Sequence, residues 1–103
     1  MLPLVKAHAY GNDFLLVDAS ALDPSIDRTA LARRACDRHR GIGADGLIVV
    51  TMTDAGADTE LLNADGSPSE VSGNGIRCVG AWLAKHRRLQ KGTQLSIGTG
   101  AGP

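Results

Sequence analysis

The chain has 103 residues, and its eleven basic and eleven acidic side chains give no formal net charge near neutral pH. A main partner such as nucleic acid or an anionic membrane demands a basic excess, so the charge balance argues against both. The length is that of about one domain with a single core, and the apolar fraction of 43% is typical of a soluble globule.

The first half of the chain predicts strands around a turn, followed by a helix and a third strand. Asp27 stands where a helix cap is expected, and Leu31 and Ala35 recur at helical spacing behind it. The third strand is rich in β-branched residues, which favour extended backbone. In chain order, the predicted elements of this half are strand 4–8, turn 11–13, strand 14–18, helix 28–38, glycine-rich turn 41–46 and strand 47–51.

The second half predicts a hairpin-type connection over 54–58, a strand over 59–62, a main helix over 73–89 and a last strand over 94–97. The helix is apolar nearly all round, and polar residues appear only from Lys85 onward. Such a helix is expected to be buried nearly all round, with Trp82 as a core anchor. The pattern therefore predicts an α+β fold in which a mixed sheet wraps around a central helix.

The most informative segment runs from Asn63 to Cys78. Its first part, Asn-Ala-Asp-Gly-Ser-Pro, consists of residues that favour turns. Its second part, Ser72-Gly73-Asn74-Gly75, opens the main helix with capping residues and glycines that allow a ligand close to the backbone. Free N–H groups and the positive end of the helix dipole make such a start a site for a carboxylate or phosphate.

This segment resembles the active-site segment of the diaminopimelate epimerase family. Residues 8–14, His-Ala-Tyr-Gly-Asn-Asp-Phe, resemble the family's opening motif. Residues 37–47, with Arg-His-Arg-Gly-Ile-Gly-Ala-Asp, resemble its glycine-rich loop. Each motif alone is weak, but the three in the right order across nearly the whole chain form a specific match.

The resemblance implies an isomerase that interconverts LL- and meso-diaminopimelate in the cytoplasm, for lysine and peptidoglycan precursor synthesis. It implies no cofactor and no metal, because a pair of cysteines acts as the two acid/base groups on the α-carbon. It also implies chains about twice this length, with two pseudo-symmetric domains. Residues 1–103 then form the N-terminal domain, and a second domain or a homodimer partner supplies the other half of the site.

The resemblance also assigns site residues. Ser72 occupies the position of one catalytic cysteine, and its hydroxyl is a far weaker acid than a thiol. Two interpretations of Ser72 stay open: a residual acid/base role, or an N-cap only. Asn12 and Asn63 match substrate-binding positions, although asparagine in a loop often bonds its own backbone. Gly73 and Asn74 match the pair that holds the substrate carboxylate.

Four further residues receive other interpretations. Asp45 is expected to brace the glycine-rich loop, and Gly46 replaces a glutamine that some family members place near the substrate. Cys36 and Cys78 are too few and too far apart for a disulfide framework or a zinc site, so we expect two reduced, buried thiols.

Two other functions are compatible with these residues. One is a related racemase or isomerase of the same superfamily, although the Asn-Ala-Asp-Gly and Gly-Asn-Asp-Phe segments suit the epimerase better. The other is a non-catalytic domain whose helix start binds a small acid.

Overall fold

The computed structural model describes residues 3–9, 11–54, 56–71, 73–86 and 96–98. Six strands and two α-helices, with a short 3-10 turn after the second strand, make up this part of the chain. In chain order they are β1 (Val5–Ala9), β2 (Asn12–Asp18), α1 (Arg28–Cys36), β3 (Gly46–Met52), β4 (Gly56–Asn63), β5 (Pro68–Ser69), α2 (Gly73–His86) and β6 (Ser96–Gly98).

The strands form one mixed sheet in the order β1-β2-β3-β4-β5, and β6 pairs with β4 as well. The pairs β1–β2, β3–β4 and β4–β5 are antiparallel, as short hairpin connections require. The pairs β2–β3 and β4–β6 are parallel. A parallel pair needs a crossover, and α1 and α2 lie in the two crossover connections. The α+β class with a mixed sheet is confirmed.

Helix α1 covers one face of the sheet, and α2 covers the other. Leu15 and Leu47 belong to the apolar cluster of α1, whereas their neighbours Leu16 and Ile48 belong to the cluster of α2. Successive side chains of a strand point to opposite faces, so a strand covered on both faces is apolar throughout. This explains the unbroken apolar runs of β2 and β3.

Helix α2 is less buried than its composition predicts. Val79 and Leu83 are fully buried against the sheet, but Ala81 and Ala84 are exposed. Trp82 packs against the core and remains partly exposed. The expectation of a helix buried all round is therefore wrong for residues 73–85, because the described strands cover one side of α2 and alanine is small enough to tolerate water on the other.

Several predicted boundaries shift by a few residues. Asp27 caps α1 as expected, accepting the Ala30 N–H at 3.2 Å, but the helix ends at Cys36 rather than at 38. Asn12 pairs with Ala9 across the first hairpin, so the turn is tighter than predicted and Asn12 belongs to β2. The two-residue strand β5 was not predicted. The predicted last turn of α2 and the start of the last strand, 87–89 and 94–95, lie outside the described residues.

In the described part of the chain, no helix is long and apolar enough to cross a membrane.

Candidate active site

Two asparagines from distant parts of the chain meet at one end of the sheet. Asn12 opens β2 directly after Gly11, whose φ of +86° is a turn conformation that favours glycine. Asn74 is the second residue of α2. Its Nδ2 donates a hydrogen bond to Oδ1 of Asn12 at 2.7 Å, which joins the motif of residues 8–14 to the helix start. Asn12 is exposed and Asn74 is half-buried, so a ligand can reach this amide pair.

The start of α2 offers space next to the amide pair. The helix begins at Gly73, which is exposed. A Cβ atom built on Gly73 would meet no heavy atom of the described residues within 4 Å. The first N–H groups of a helix have no carbonyl partner within it, and the dipole is positive there. Open space and a positive dipole end are features of helix starts that bind anions.

Asn63 lies at the same end of the sheet, on β4. It pairs with Gly46 of β3, which in turn pairs with Phe14 of β2, two residues after Asn12. The Asn63 side chain is engaged in its own turn, since Nδ2 donates to the Ser67 hydroxyl at 3.1 Å. Asn63 thus lies at the same end of the sheet as Asn12, and its side chain is held by the turn that follows it.

Gly46 leaves no room for a side chain. A Cβ atom there would lie 2.9 Å from Cδ1 of Leu61 and 3.0 Å from the carbonyl oxygen of Leu62. A larger residue at this position requires β4 or the Leu61 side chain to shift. The packing of β4 therefore accounts for a glycine where some family members are expected to have glutamine.

An ion-pair cluster braces the glycine-rich loop against β2. Arg38 donates to both carboxylate oxygens of Asp13, at 3.2 and 2.9 Å, and to Oδ1 of Asp45 at 3.2 Å. The Asp45 N–H donates to the Asp13 carbonyl oxygen at 3.0 Å, and Lys6 Nζ lies 3.5 Å from Asp13. The expected bracing role of Asp45 agrees with this geometry. The Arg38 hydrogen bonds hold the pKa of the Asp13 carboxyl far below its ordinary value.

The sequence pattern did not single out Asp13 and Arg38. Each stands within a matched motif, but only the fold brings them together, since 25 positions separate them in the chain. The available signal in the sequence was a pair of oppositely charged residues, an aspartate in one matched motif and an arginine in the next.

Both cysteines are buried, and neither has the properties of a reactive thiol. Burial raises the pKa of Cys36 to about 11, and the nearby Asp13 carboxylate adds to this shift. Burial also raises the pKa of Cys78. Since the thiolate is the reactive form, neither cysteine suits acid/base work near neutral pH. Among the described residues, no group of acidic, histidine or cysteine side chains is placed to hold a metal ion.

Ser72, the predicted acid/base residue, lies outside the described residues. Its neighbours in sequence are Val71, which is buried in the α2 cluster, and Gly73 at the helix start.

A groove of about 370 Å³ runs between β1 and α2, and Cys78 is part of its lining. Its lining includes Val5, Leu16, Ala81 and Trp82, and none of the predicted site residues. It is not the candidate site.

Comparisons with known proteins point to one family. A sequence model of the family described as diaminopimelate epimerase matches residues 4–103. The diaminopimelate epimerase of Desulforudis audaxviator is 45% identical over 98% of this chain and 36% of its own length. Those of Moorella thermoacetica and Acidiphilium cryptum are 44% and 45% identical over 95% and 97% of this chain, and 35% of their own lengths. The chain spans about a third of these relatives, so the expectation of family members only twice as long was wrong.

Proposed function

Because the chain belongs to the diaminopimelate epimerase family, we propose that it is the N-terminal domain of an enzyme that interconverts LL- and meso-diaminopimelate. The contact between Asn12 and Asn74 supports this most strongly. It brings two of the family's motif segments, 62 positions apart, to a single helix start that suits a carboxylate. A lone motif would not predict that convergence.

The helix start addresses the first difficulty of the reaction, the weak acidity of the α-proton. As that proton leaves, negative charge spreads from the α-carbon onto the substrate carboxylate. Hydrogen bonds from the first turn of α2, at Gly73 and Asn74, strengthen as this charge grows. Donors already in place where charge develops lower the barrier. Asn12 and Asn63 contribute further polar contacts to the substrate, each from the end of a strand of the sheet.

The second difficulty is delivery of a proton to the opposite face of the α-carbon. Inversion needs a base on one side and an acid on the other, and thiols beside helix N-termini suit both roles. Ser72 takes the place of one such thiol, directly before α2 in sequence. A second domain, or a second copy, supplies the other group as the pseudo-symmetric half of the site. Side chains carry out the proton transfers without a cofactor, whereas the N–H groups only stabilise the developing charge. The enzyme acts in the cytoplasm.

The test joins residues 1–103 to the remaining part of the Desulforudis audaxviator relative and measures interconversion of LL- and meso-diaminopimelate. We expect Ser72→Cys to raise the rate by about 10²–10⁴-fold, because a thiol has a pKa suited to proton transfer near neutral pH. An unchanged rate would mean that Ser72 already does the chemistry or takes no part. A folded polypeptide that is inactive with either residue would contradict the proposal and favour a domain that only binds a small acid.

A further inference from the structure

Three charged side chains from separate parts of the chain meet beside Asn12. Asp13 lies in β2, Arg38 follows α1, and Asp45 precedes β3. Arg38 bonds both carboxylates, as described above. A guanidinium presents its donors in a rigid fork, so this contact fixes direction as well as distance. One arginine therefore ties the glycine-rich loop to the strand that carries Asn12.

Asp45 connects this cluster to the amide pair. Its Oδ2 accepts the backbone N–H of Asp13 at 3.0 Å and lies 3.5 Å from Nδ2 of Asn12. Asn12 in turn accepts the hydrogen bond from Asn74 through its Oδ1. A continuous path of polar contacts thus runs from Arg38 through Asp45 and Asn12 to the first turn of α2.

The carboxylate of Asp45 determines which way the two amides face. An ionised carboxylate only accepts hydrogen bonds, so the NH2 group of Asn12 must face it. The oxygen of Asn12 then faces Asn74, which must present its own NH2 group in return. An amide at position 45 would remove this restriction, since an amide both donates and accepts.

We propose that Asp45 and Arg38 are positioning residues that hold the Asn12 and Asn74 amides in one orientation at the ligand-binding surface. Asp45 sets the direction of the hydrogen bonds, and Arg38 holds Asp45 in place. The identity of the ligand rests on the proposed function, whereas the orientation of the amides does not. The two consequences are therefore measured separately.

The first measurement uses the side-chain amide signals of the ¹⁵N-labelled 103-residue chain in NMR spectra. In Asp45→Asn, we expect the NH2 signals of both Asn12 and Asn74 to move, although Asp45 makes no hydrogen bond to Asn74. Arg38→Lys should move the same signals, because an ammonium cannot reproduce the fork of the guanidinium. The movement should be smaller than in Asp45→Asn, because the Asp45 carboxylate is still present. The matched control is Asp58→Asn, which removes an exposed carboxylate on β4 and should leave both signals in place.

The proposal is overturned if the Asn74 signals stay in place in folded Asp45→Asn and Arg38→Lys. Should Asp45→Asn fail to fold, Arg38→Lys decides by the same signals.

The second measurement uses the joined two-domain polypeptide carrying Ser72→Cys. Asp45→Asn should raise KM for LL-diaminopimelate about tenfold and change kcat much less, since hydrogen bonds to a charged ligand weaken when the amides lose their orientation. A purely structural role would lower the melting temperature and leave KM unchanged, which would contradict the proposal. If the parent polypeptide is inactive, the proposed function fails, and the amide signals still decide the positioning role.

Discussion

At the scale of single residues, packing leaves little space for a side chain at Gly46. Gly46→Ala places a methyl group against Leu61 and the backbone of Leu62. We expect the free energy of unfolding to fall by about 1–3 kcal/mol, the usual cost of overpacking. Chemical denaturation of both forms measures this.

Gly80→Ala is the matched control for this substitution. A Cβ atom on Gly80 meets no heavy atom of the described residues within 4 Å, and the position lies inside α2. Replacing a helical glycine there should raise stability by about 0.5–1 kcal/mol. Equal effects of the two substitutions would contradict the close approach of β4 at Gly46.

Asp13 is expected to make the stability of the fold depend on pH. The hydrogen bonds from Arg38 lower the pKa of its carboxyl in the folded state. A carboxyl with a lowered pKa stabilises the fold above its unfolded pKa of about 3.9, and this stabilisation is lost as the pH falls through the folded value. Asp13→Asn should therefore lower stability at pH 7 and flatten its decline between about pH 5 and pH 2.

Urea denaturation at a series of pH values measures this dependence. As a control for the loss of one carboxylate, Asp58→Asn should leave the stability at pH 7 nearly unchanged, because that side chain is exposed on β4. The folded-state pKa values of Asp23, Asp37 and Asp65 are also lowered, by hydrogen bonds within their own turns, so part of the decline should persist in Asp13→Asn. A decline identical to that of the parent chain would refute the role of the Arg38 contact.

At the scale of elements, the two thiols report on the two helices separately. Cys36 is the last residue of α1 and Cys78 lies within α2, and both side chains are buried. A thiol-specific reagent at pH 8 should modify neither cysteine in the folded chain and both in denaturant, because burial both blocks access and raises the pKa of each.

The single-cysteine forms Cys36→Ala and Cys78→Ala allow each labelling rate to be assigned to one thiol. Labelling of one thiol that is much faster than global unfolding would show local opening of that helix. Fast labelling of Cys78 in the native chain would contradict the packing of α2 described above.

The elements also differ in how well the sequence predicts them. The start of α1 follows from Asp27, and β2 and β3 follow from their apolar runs, because these signals are local. The burial of α2 was predicted wrongly, because alanine counts as apolar in a sequence pattern but is also found exposed to water. The strand β5 has too few residues to form a pattern at all.

In the candidate site too, the sequence indicates some individual residues but not the contacts between them. The resemblance indicates Asn12 and Asn74 individually, but their contact depends on how β2 and α2 pack. The cluster of Asp13, Arg38 and Asp45 depends on loop closure around α1. Such contacts between distant residues follow from the three-dimensional arrangement of the elements, which periodicity and turn chemistry do not determine.

At the scale of the whole molecule, the central claim is that these residues carry one half of an epimerase site. In the proposed function, the start of α2 binds the substrate carboxylate, and the Asn12 and Asn74 amides support it. The second acid/base group is expected from outside the described part. We therefore expect that the 103-residue chain alone does not invert diaminopimelate, although weak binding of its carboxylate at Gly73 and Asn74 can persist.

The most direct test is exchange of the α-proton of LL-diaminopimelate with deuterated water. The 103-residue chain, with either Ser72 or Ser72→Cys, should exchange no faster than the background. The joined two-domain polypeptide carrying Ser72→Cys should exchange rapidly and form the meso isomer. Exchange above background by the 103-residue chain alone, or none by a folded joined polypeptide, would contradict the account.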